Sequence, residues 1–326
     1  MNLRKTPHIQ KVWGWKVALH LFLAGTGAGL YLTGIVQCIS GAPSQYIHAC
    51  RTAVIASSGL IFISMIFIFS HLGYKTNAFR AFTRASSSWL ARGSIIVPVF
   101  LILELLYAAI LSQWDPYSQD LSSMNVLAGG FSSIFAVLTL YYSGMLLKAL
   151  RPFPFWNTWL LPLLFALSGI SSGIMALAFL TEAQGLFTGR AIGETKSVLF
   201  YFTNLVIPVQ AMVLGLFLMR SFKSPGTRSS FLIMTRGHNA VFFWMGVVMA
   251  GLAVPFASGI YLVSGPSLNP GLMSIWVFVC TGLGIIGGYL LRYTLLTSGT
   301  GAPVNVRGKM VPLPGDARVP SSMRVK

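Results

Sequence analysis

The chain has 326 residues, of which 55% are hydrophobic and 9% are charged, and its mean hydropathy is +0.72. Because soluble globular domains carry about 25% charged residues, this composition excludes an ordinary soluble protein and indicates a polytopic helical membrane protein. The net charge of +17 would suit a nucleic-acid-binding protein, but the distribution of the basic residues indicates another role.

Eight hydrophobic runs are each long enough to cross about 30 Å of hydrocarbon. They lack the alternating pattern of an outer-membrane barrel, and no small-residue cleavage site follows the first run, which we therefore interpret as a true span. We predict an all-α membrane protein whose eight spans lie near residues 14–38, 53–72, 93–112, 124–148, 156–181, 197–219, 239–263 and 271–296.

The first span, WGWKVALHLFLAGTGAGLYLTGIV, contains a histidine, His20, about one to two turns inside its start. An ionisable side chain costs about 2.5–3.5 kcal/mol or more at the centre of a transmembrane helix, so its presence indicates a functional role. The alternative is a structural histidine that bonds a backbone carbonyl of a neighbouring helix. The sequence leaves both interpretations of His20 open.

Three polar residues of the third and fourth spans are further candidates. Arg92 opens the third span, Glu104 lies at its centre, and Tyr142 lies near the end of the fourth span, on the membrane face at which His20 enters. Arg92 is a head-group residue and Tyr142 an interfacial residue unless they pack inward. A carboxyl group at mid-span must be protonated, paired or hydrated, so Glu104 indicates either a proton path or a structural hydrogen bond.

The fifth span repeats features of the first at an offset of 144 residues. Trp15 and Trp159 each lie ten residues before a GxxxG motif, which allows two helices to pack closely. The same offset aligns an Arg-Gly pair that opens the third span with one that opens the seventh. We therefore predict a parallel repeat of two four-helix bundles.

Only the first bundle carries the intramembrane histidine, because the offset pairs His20 with Leu164. This difference predicts one specialised polar site in the first half. We divide the chain into an N-terminal bundle with that site over residues 1–150, a C-terminal bundle over residues 151–299, and a basic cytoplasmic tail over residues 300–326.

The basic residues are sorted by membrane face. Twenty of the 23 Lys and Arg residues, including Arg292 at the end of the last span, lie in the two tails and in the connections after even-numbered spans. By the positive-inside rule, this predicts a multi-pass inner-membrane protein with both termini in the cytoplasm. We therefore predict no nucleic-acid partner, and a basic face that contacts membrane lipid or an acidic partner.

The three cysteines are distant in sequence and form neither a CxxC nor an iron–sulfur pattern. We interpret Cys38 and Cys280 as small residues of helix walls. Cys50 lies near the outer face, where it can be oxidised, but it has no evident partner. We predict that the chain itself holds no metal cluster.

A histidine and a tyrosine near one leaflet suit a quinone. A quinone ring has two oxygens that need hydrogen-bond partners in both redox states. Histidine can donate to a quinone carbonyl or accept from a quinol hydroxyl, and it titrates near neutral pH. Tyrosine supplies a second donor and acceptor.

Several segments together resemble the NrfD-like polysulfide reductase membrane-subunit family: WGWKVALHLFLAGTGAGLYL, the YSG that closes the fourth span, PFWNTWLLPLLFALSGISSG and GGYLLR. The resemblance covers most of the sequence from Trp13 to about Gly299. It implies two four-helix bundles, with no haem or iron–sulfur cluster bound by the membrane subunit. It also implies quinone chemistry coupled to a ferredoxin-like iron–sulfur subunit, which is joined to a molybdopterin catalytic subunit.

In the polysulfide reductase of this family, an asparagine and a histidine three residues later contact the menaquinone head together with a tyrosine. His20 matches the histidine, Val17 stands where the asparagine would be, and Tyr142 is matched to the tyrosine. We predict a menaquinone or ubiquinone site with His20 and Tyr142 as hydrogen-bond partners and Arg92 as its electrostatic support. Glu104 is predicted to lie on a proton path.

The predicted orientation departs from part of the family. In members with exported catalytic subunits the quinone face looks to the periplasm, whereas the basic face here predicts a cytoplasmic site. A complex that faces the cytoplasm, such as a sulfite-oxidising type, would account for this. Alternatively, the basic loops bind the iron–sulfur subunit and an exported partner sets the orientation. We expect the cytoplasmic orientation.

The predicted function is that of a membrane subunit of a respiratory oxidoreductase complex, which exchanges electrons and protons between the quinone pool and a docked iron–sulfur subunit. Two alternatives remain. A secondary transporter or proton-translocating subunit fits the repeat and the proline-kinked spans, although many carriers use inverted repeats. A haem b anchor requires paired intramembrane histidines, for which His20 and His71 are the available pair.

Overall fold

The computed structural model describes residues 8–9, 13–39, 44–71, 88–113, 123–150, 152–188, 193–264, 269–301, 304–306 and 309–311. Its helices are α1 (Trp15–Ile39), α2 (Ser44–His71), α3 (Trp89–Gln113), α4 (Ser123–Lys148), α5 (Leu160–Thr188), α6 (Gly193–Lys223), the short α7 (Arg228–Thr235), a π-helix (Phe242–Ala253) that continues into α8 (Val254–Ser264), and α9 (Pro270–Thr297).

Eight helical segments in the described part of the protein are long and apolar enough to cross a membrane, with the π-helix and α8 counted as one segment. The prediction of an all-α protein with eight spans is therefore confirmed. Many side chains on these helices are large, apolar and exposed, including Leu127 and Ile55 at 73% and 66%. Such exposure is favourable only in contact with lipid, and it distinguishes the outer surfaces of α2, α3, α4 and α6 from the buried faces.

Two short strand pairs join segments near the ends of the sequence. β1 (His8–Ile9) pairs antiparallel with β2 (Thr300–Gly301), and His8 stands opposite Gly301. β3 (Val304–Val306) pairs antiparallel with β4 (Lys309–Val311). The first pair places the segment before α1 beside the segment after α9, so both lie on the same face of the protein.

Helix α1 lies at the centre of the packing, with α2, α4, α5 and α9 as its neighbours. Its contact with α5 is formed by the two predicted GxxxG motifs. A Cβ added at Gly29 would overlap the carbonyl group of Gly169, and one added at Gly173 would overlap the backbone of Gly29. The motifs of the two halves therefore pack directly against each other, as small residues do at close helix contacts.

Within each half, neighbouring helices contact one another in a ring: α1, α2, α3 and α4 in the first half, and α5, α6, α8 and α9 in the second. The origin of the two halves as a duplicated repeat, and the division at residues 150 and 299, stay predictions. Residue 151 and residues 312–326 of the basic tail lie outside the described residues.

The π-helix of the seventh span precedes a proline. Pro255 lacks an amide proton, so the carbonyl group four residues earlier, at Gly251, has no donor in the α-helical pattern. A π-helix changes the hydrogen-bond spacing upstream of such a site. The face of the π-helix that carries Gly251 packs tightly on α9, since a Cβ added at Gly251 would lie 3.0 Å from Cα of Gly287.

Cys38 and Cys50 form a disulfide bond that joins the end of α1 to the first turns of α2. The prediction that Cys50 has no partner is therefore wrong, and Cys38 is not simply a wall residue. The connection between the helices is short, so α2 folds back beside α1 and brings the two Cα atoms to 5.7 Å. Cys280 is a free, buried cysteine, as expected of a wall residue.

Candidate functional site

The seam between α1 and α2 carries polar groups at regular intervals. On α2, Ser57 and Ser64 are seven residues apart, which is about two helical turns or 10 Å. They face Gly27 and His20 on α1, which are separated by the same interval in the opposite direction. Antiparallel packing therefore places the contact of Ser57 with Gly27 at mid-membrane, and the contact of Ser64 with His20 about two turns nearer the start of α1.

His20 is buried in this seam, with only 2% of its surface exposed. Its Nδ1 lies 2.8 Å from the hydroxyl oxygen of Ser64 and 3.0 Å from the carbonyl oxygen of the same residue. Its Nε2 is buried and makes no hydrogen bond to the described residues. A buried polar atom without a partner is uncommon, and here one side of the imidazole is anchored while the other has no partner among the described residues.

Glu104 on α3 is fully buried and shares the hydroxyl group of Ser57 with the backbone of α1. The Ser57 oxygen lies 2.7 Å from the carbonyl oxygen of Gly27 and also within hydrogen-bond distance of Glu104 Oε1. A hydroxyl group has one proton. Both contacts are satisfied together when Ser57 donates to Gly27 and a protonated Glu104 donates to Ser57. This arrangement describes a neutral carboxylic acid, the form that the membrane interior favours.

Two tyrosines lie close to Glu104. Tyr31 of α1 donates a hydrogen bond of 3.2 Å to the carbonyl oxygen of Gly129 on α4. Its ring packs edge-to-face against Phe100 and Tyr107 of α3, at centroid distances of 5.4 and 6.2 Å. These residues were not predicted to belong to a site. The signal was present for Tyr31, which follows His20 by eleven residues and so lies on the same face of α1.

Tyr142 and Arg92 both lie at the end of the bundle that contains the start of α1. Tyr142 is 2% exposed, and a Cβ added at Gly93 would overlap its ring, so the ring lies directly on the first turn of α3. Tyr142 is thus a packed residue and not an interfacial one. The guanidinium group of Arg92 stacks on Trp89 at 4.6 Å from the ring centroid. No described contact joins Tyr142 to His20, although both lie toward the same membrane face.

Arg292 on α9 is fully buried, so the prediction that it lies on the basic face is wrong. Its guanidinium group donates to the Ser168 hydroxyl and the Gly288 carbonyl, each at 2.9 Å, and to the Phe165 carbonyl at 3.3 Å. It also lies over the rings of Phe22 and Phe165, at 5.6 and 5.3 Å. The described residues place no carboxylate against it.

One cavity lies away from these residues. It has a volume of about 260 Å³ and is formed by the segment between α4 and α5 and by the end of α6. Its polar lining includes Asn157, Arg220 and Thr227. None of the four predicted site residues lines it, so it does not belong to the site predicted from the sequence.

Eight spans with ionisable groups buried between them define a polytopic membrane protein. The protein belongs to the polysulphide reductase, NrfD family, whose model matches residues 4–303. This membership confirms the resemblance found in the sequence.

Three curated relatives extend this comparison. Protein NrfD of Escherichia coli (strain K12) is 25% identical over 88% of this sequence and 95% of its own length. A polysulfide reductase chain of Wolinella succinogenes is 27% identical over 88% of this sequence and 94% of its own length. A sulfite dehydrogenase subunit of Allochromatium vinosum is 26% identical over 57% of each sequence. With the family match, these relatives support a membrane subunit of an oxidoreductase complex.

Proposed function

We propose that this protein binds the quinone of a respiratory oxidoreductase complex and exchanges electrons and protons between the quinone pool and a docked iron–sulfur subunit. The observation that carries the proposal is the state of His20: a buried imidazole with Nδ1 anchored on α2 and Nε2 without a partner among the described residues. A buried, half-satisfied histidine is costly in a membrane unless a ligand completes it. A quinone oxygen is a suitable ligand, because imidazole can donate to it or accept from its reduced form.

The other predicted residues have supporting roles in this proposal. Tyr142 supplies the second polar group at the same membrane face, and its position on the first turn of α3 is set by Gly93. Arg92, at that turn, contributes positive charge that favours the electron-rich reduced ring. Menaquinone and ubiquinone present the same pair of ring oxygens, so the proposal covers both.

Glu104 is proposed to hold and release protons at mid-membrane. Ser57 links it to the backbone of α1, about two turns from the residue that contacts His20. Groups that accept and donate protons at such intervals are typical of proton relays in membranes. If Glu104 had a purely structural role, the hydrogen bond to Ser57 would be needed, but a group that can release a proton would not.

The partners are proposed to be a ferredoxin-like iron–sulfur subunit and, through it, a molybdopterin catalytic subunit. Two relatives are named as a polysulfide reductase chain and a sulfite dehydrogenase subunit, and such names imply further subunits. The membrane face at which α1 starts also offers exposed basic side chains that would attract an acidic partner, namely Arg220, Lys223, Arg228 and Arg236.

Both termini are proposed to lie in the cytoplasm. The basic residues favour this orientation, and the Cys38–Cys50 disulfide at the opposite end of α1 favours it independently, because disulfides persist outside the cytoplasm. A green fluorescent protein fused after Lys326 should fluoresce, and alkaline phosphatase fused there should be inactive. The reverse pattern would contradict the orientation.

Replacement of His20 tests the function. In the purified complex, His20→Ala should lower quinol-linked turnover by about 100-fold or more, while electron transfer between the partner subunits and a soluble dye is retained. His238→Ala is the matched control, since His238 is exposed and should not affect turnover. Quinol-linked turnover that survives in His20→Ala would contradict the proposal, and a haem absorption band lost with His20 would assign the residue to haem instead.

A further inference from the structure

We propose that Ser64 is a positioning residue that selects which ring nitrogen of His20 carries the proton. In one arrangement His20 Nε2 donates to the carbonyl of a quinone, and in the other it accepts from the hydroxyl of a quinol. This inference rests on the proposed function, in which His20 binds the quinone head. It assigns a role to a residue on a different helix, which the sequence analysis did not single out.

The geometry offers Nδ1 two partners of opposite character on one residue. The carbonyl oxygen of Ser64, at 3.0 Å, can only accept, so a hydrogen bond to it requires a proton on Nδ1. The hydroxyl oxygen of Ser64, at 2.8 Å, can donate or accept. That hydroxyl also lies 3.2 Å from the carbonyl oxygen of His20, so it has a second acceptor to which it can turn.

Two complete arrangements follow from these distances. In the first, Nδ1–H donates to the Ser64 carbonyl and the Ser64 hydroxyl donates to the His20 carbonyl, which leaves Nε2 as an acceptor. In the second, the Ser64 hydroxyl donates to Nδ1, and Nε2 carries the proton and is a donor. His20 and Ser64 together hold the same number of protons in both arrangements. They differ by the rotation of one hydroxyl group and the position of one ring proton.

The two arrangements match the two redox forms of the ligand. The ring oxygens of a quinone only accept, whereas those of a quinol also donate. An imidazole held by a carbonyl group alone would keep its proton on Nδ1 and would favour the quinol. The Ser64 hydroxyl gives the opposite tautomer a hydrogen bond to Nδ1, which a carbonyl group cannot supply. Ser64 is itself fully buried, so water does not replace its hydroxyl in this role.

Ser64→Ala removes the hydroxyl and keeps the carbonyl. We expect the dissociation constant of a short-chain menaquinone analogue to rise about fivefold in its oxidised form, which is the effect of losing one ordinary hydrogen bond. The constant for the reduced form should change less than about twofold, because its arrangement does not use the hydroxyl as a donor to Nδ1. Both constants are measured by equilibrium binding to the purified complex. In turnover, the KM for the quinone should rise while kcat is largely kept.

The protein provides a matched control on the same helix. Ser58 is also buried, but its hydroxyl donates to the Val54 carbonyl of its own helix at 2.9 Å. Ser58→Ala should leave the ratio of the two dissociation constants unchanged. Ser64→Thr restores a hydroxyl and should restore that ratio. If Ser64→Ala does not assemble, Ser64→Cys, with a weak thiol donor, should give a smaller shift of the same sign.

The outcomes separate this inference from the proposed function. Equal weakening of both redox forms in Ser64→Ala, or a ratio identical to that of Ser58→Ala, would overturn the role of Ser64. If the role of Ser64 is overturned but His20→Ala abolishes binding of both redox forms, the quinone site is supported and only the selection of the tautomer is wrong. If His20→Ala binds both forms as the unmodified complex does, the proposed function itself fails.

Discussion

The two halves of the molecule differ in polarity at three positions that the predicted repeat pairs. The offset of 144 residues pairs His20 with Leu164, Ser64 with Pro208, and Glu104 with Val248. In each pair the first half has a polar group in its interior and the second half has an apolar residue. The GxxxG motifs, by contrast, are present in both halves and pack against each other. The shared positions hold the halves together, and the differing positions place His20, Ser64 and Glu104 in the first half without a polar counterpart in the second.

One repeat position reverses this pattern. Lys148 at the end of α4 corresponds to Arg292 of α9. Lys148 lies at the membrane face, over the ring of Trp159, whereas Arg292 is fully buried among α1, α5 and α9. Its charge is spread over three hydrogen bonds and two aromatic rings, so the second half has a structural cation where the first has a surface one. The same position can therefore serve orientation in one half and packing in the other.

The largest loss of stability is expected when the shared contact is broken. Gly29→Ala adds a methyl group that would overlap the carbonyl of Gly169, a backbone group that cannot turn away. The two helices must separate, which should lower the free energy of unfolding by about 3 kcal/mol. Thermal unfolding in detergent measures the change.

The control for this variant is Gly59→Ala on α2, where an added Cβ meets nothing within 4 Å. This substitution should be neutral or stabilise the helix by up to about 1 kcal/mol. A similar loss in both variants would mean that any added methyl group is harmful, and the close contact between the halves would lose its special role.

A smaller loss is expected at Arg292. Arg292→Lys keeps the buried charge but gives up at least one of the hydrogen bonds to Ser168 and Phe165, which should cost about 2 kcal/mol. Arg292→Met removes the hydrogen bonds, but it also removes the free-energy cost of burying a charge. It should therefore be less destabilising than the lysine variant. Unfolding temperatures of the two variants give the order.

Lys148→Met is the matched substitution in the first half. It removes a cation at the membrane face and should change the free energy of unfolding by less than about 1 kcal/mol. If the methionine variant at position 292 were instead the more damaging one, the charge itself would stabilise the fold, and the expectation that its burial is a net cost would be wrong.

The number of spans and the presence of GxxxG motifs for close packing were accessible from the sequence, because apolar runs and small-residue spacing are local properties. Some limits were not: the fifth span was predicted to begin near residue 156 and begins at Leu160. The interior location of His20 and Glu104 followed from the same runs. Their partners did not. Serines are common in membrane helices. The register of α2 against α1 places Ser64 beside His20, and its register against α3 places Ser57 beside Glu104.

Two other features were missed for a related reason. Arg292 was predicted to belong to the basic face because charges at the ends of spans usually reach the interface. Its long side chain instead turns back along α9 to the carbonyl of Gly288, where glycine at position 25 of α1 leaves room for it. The Cys38–Cys50 bond depends on how α2 turns back beside α1, and sequence distance alone does not show this.

The smallest change in stability is expected at Glu104, where the structure describes a neutral acid. Glu104→Gln keeps the size and neutrality of the side chain, and its amide group can replace the carboxyl proton in the bond to Ser57. The free energy of unfolding should change by less than about 1 kcal/mol. The infrared carbonyl band of a protonated carboxylic acid should be present in the unmodified protein and absent from this variant.

Glutamine cannot release a proton, so quinol-linked turnover should fall by about tenfold or more in Glu104→Gln if the acid moves protons. Ser57→Ala provides the control, because it removes the hydrogen bond and keeps the acid. A protein in which Glu104→Gln is stable and fully active would restrict Glu104 to a structural hydrogen bond. The predicted repeat pairs Glu104 with the apolar Val248, so it places no acid at this position in the second half, and this favours the functional explanation for Glu104.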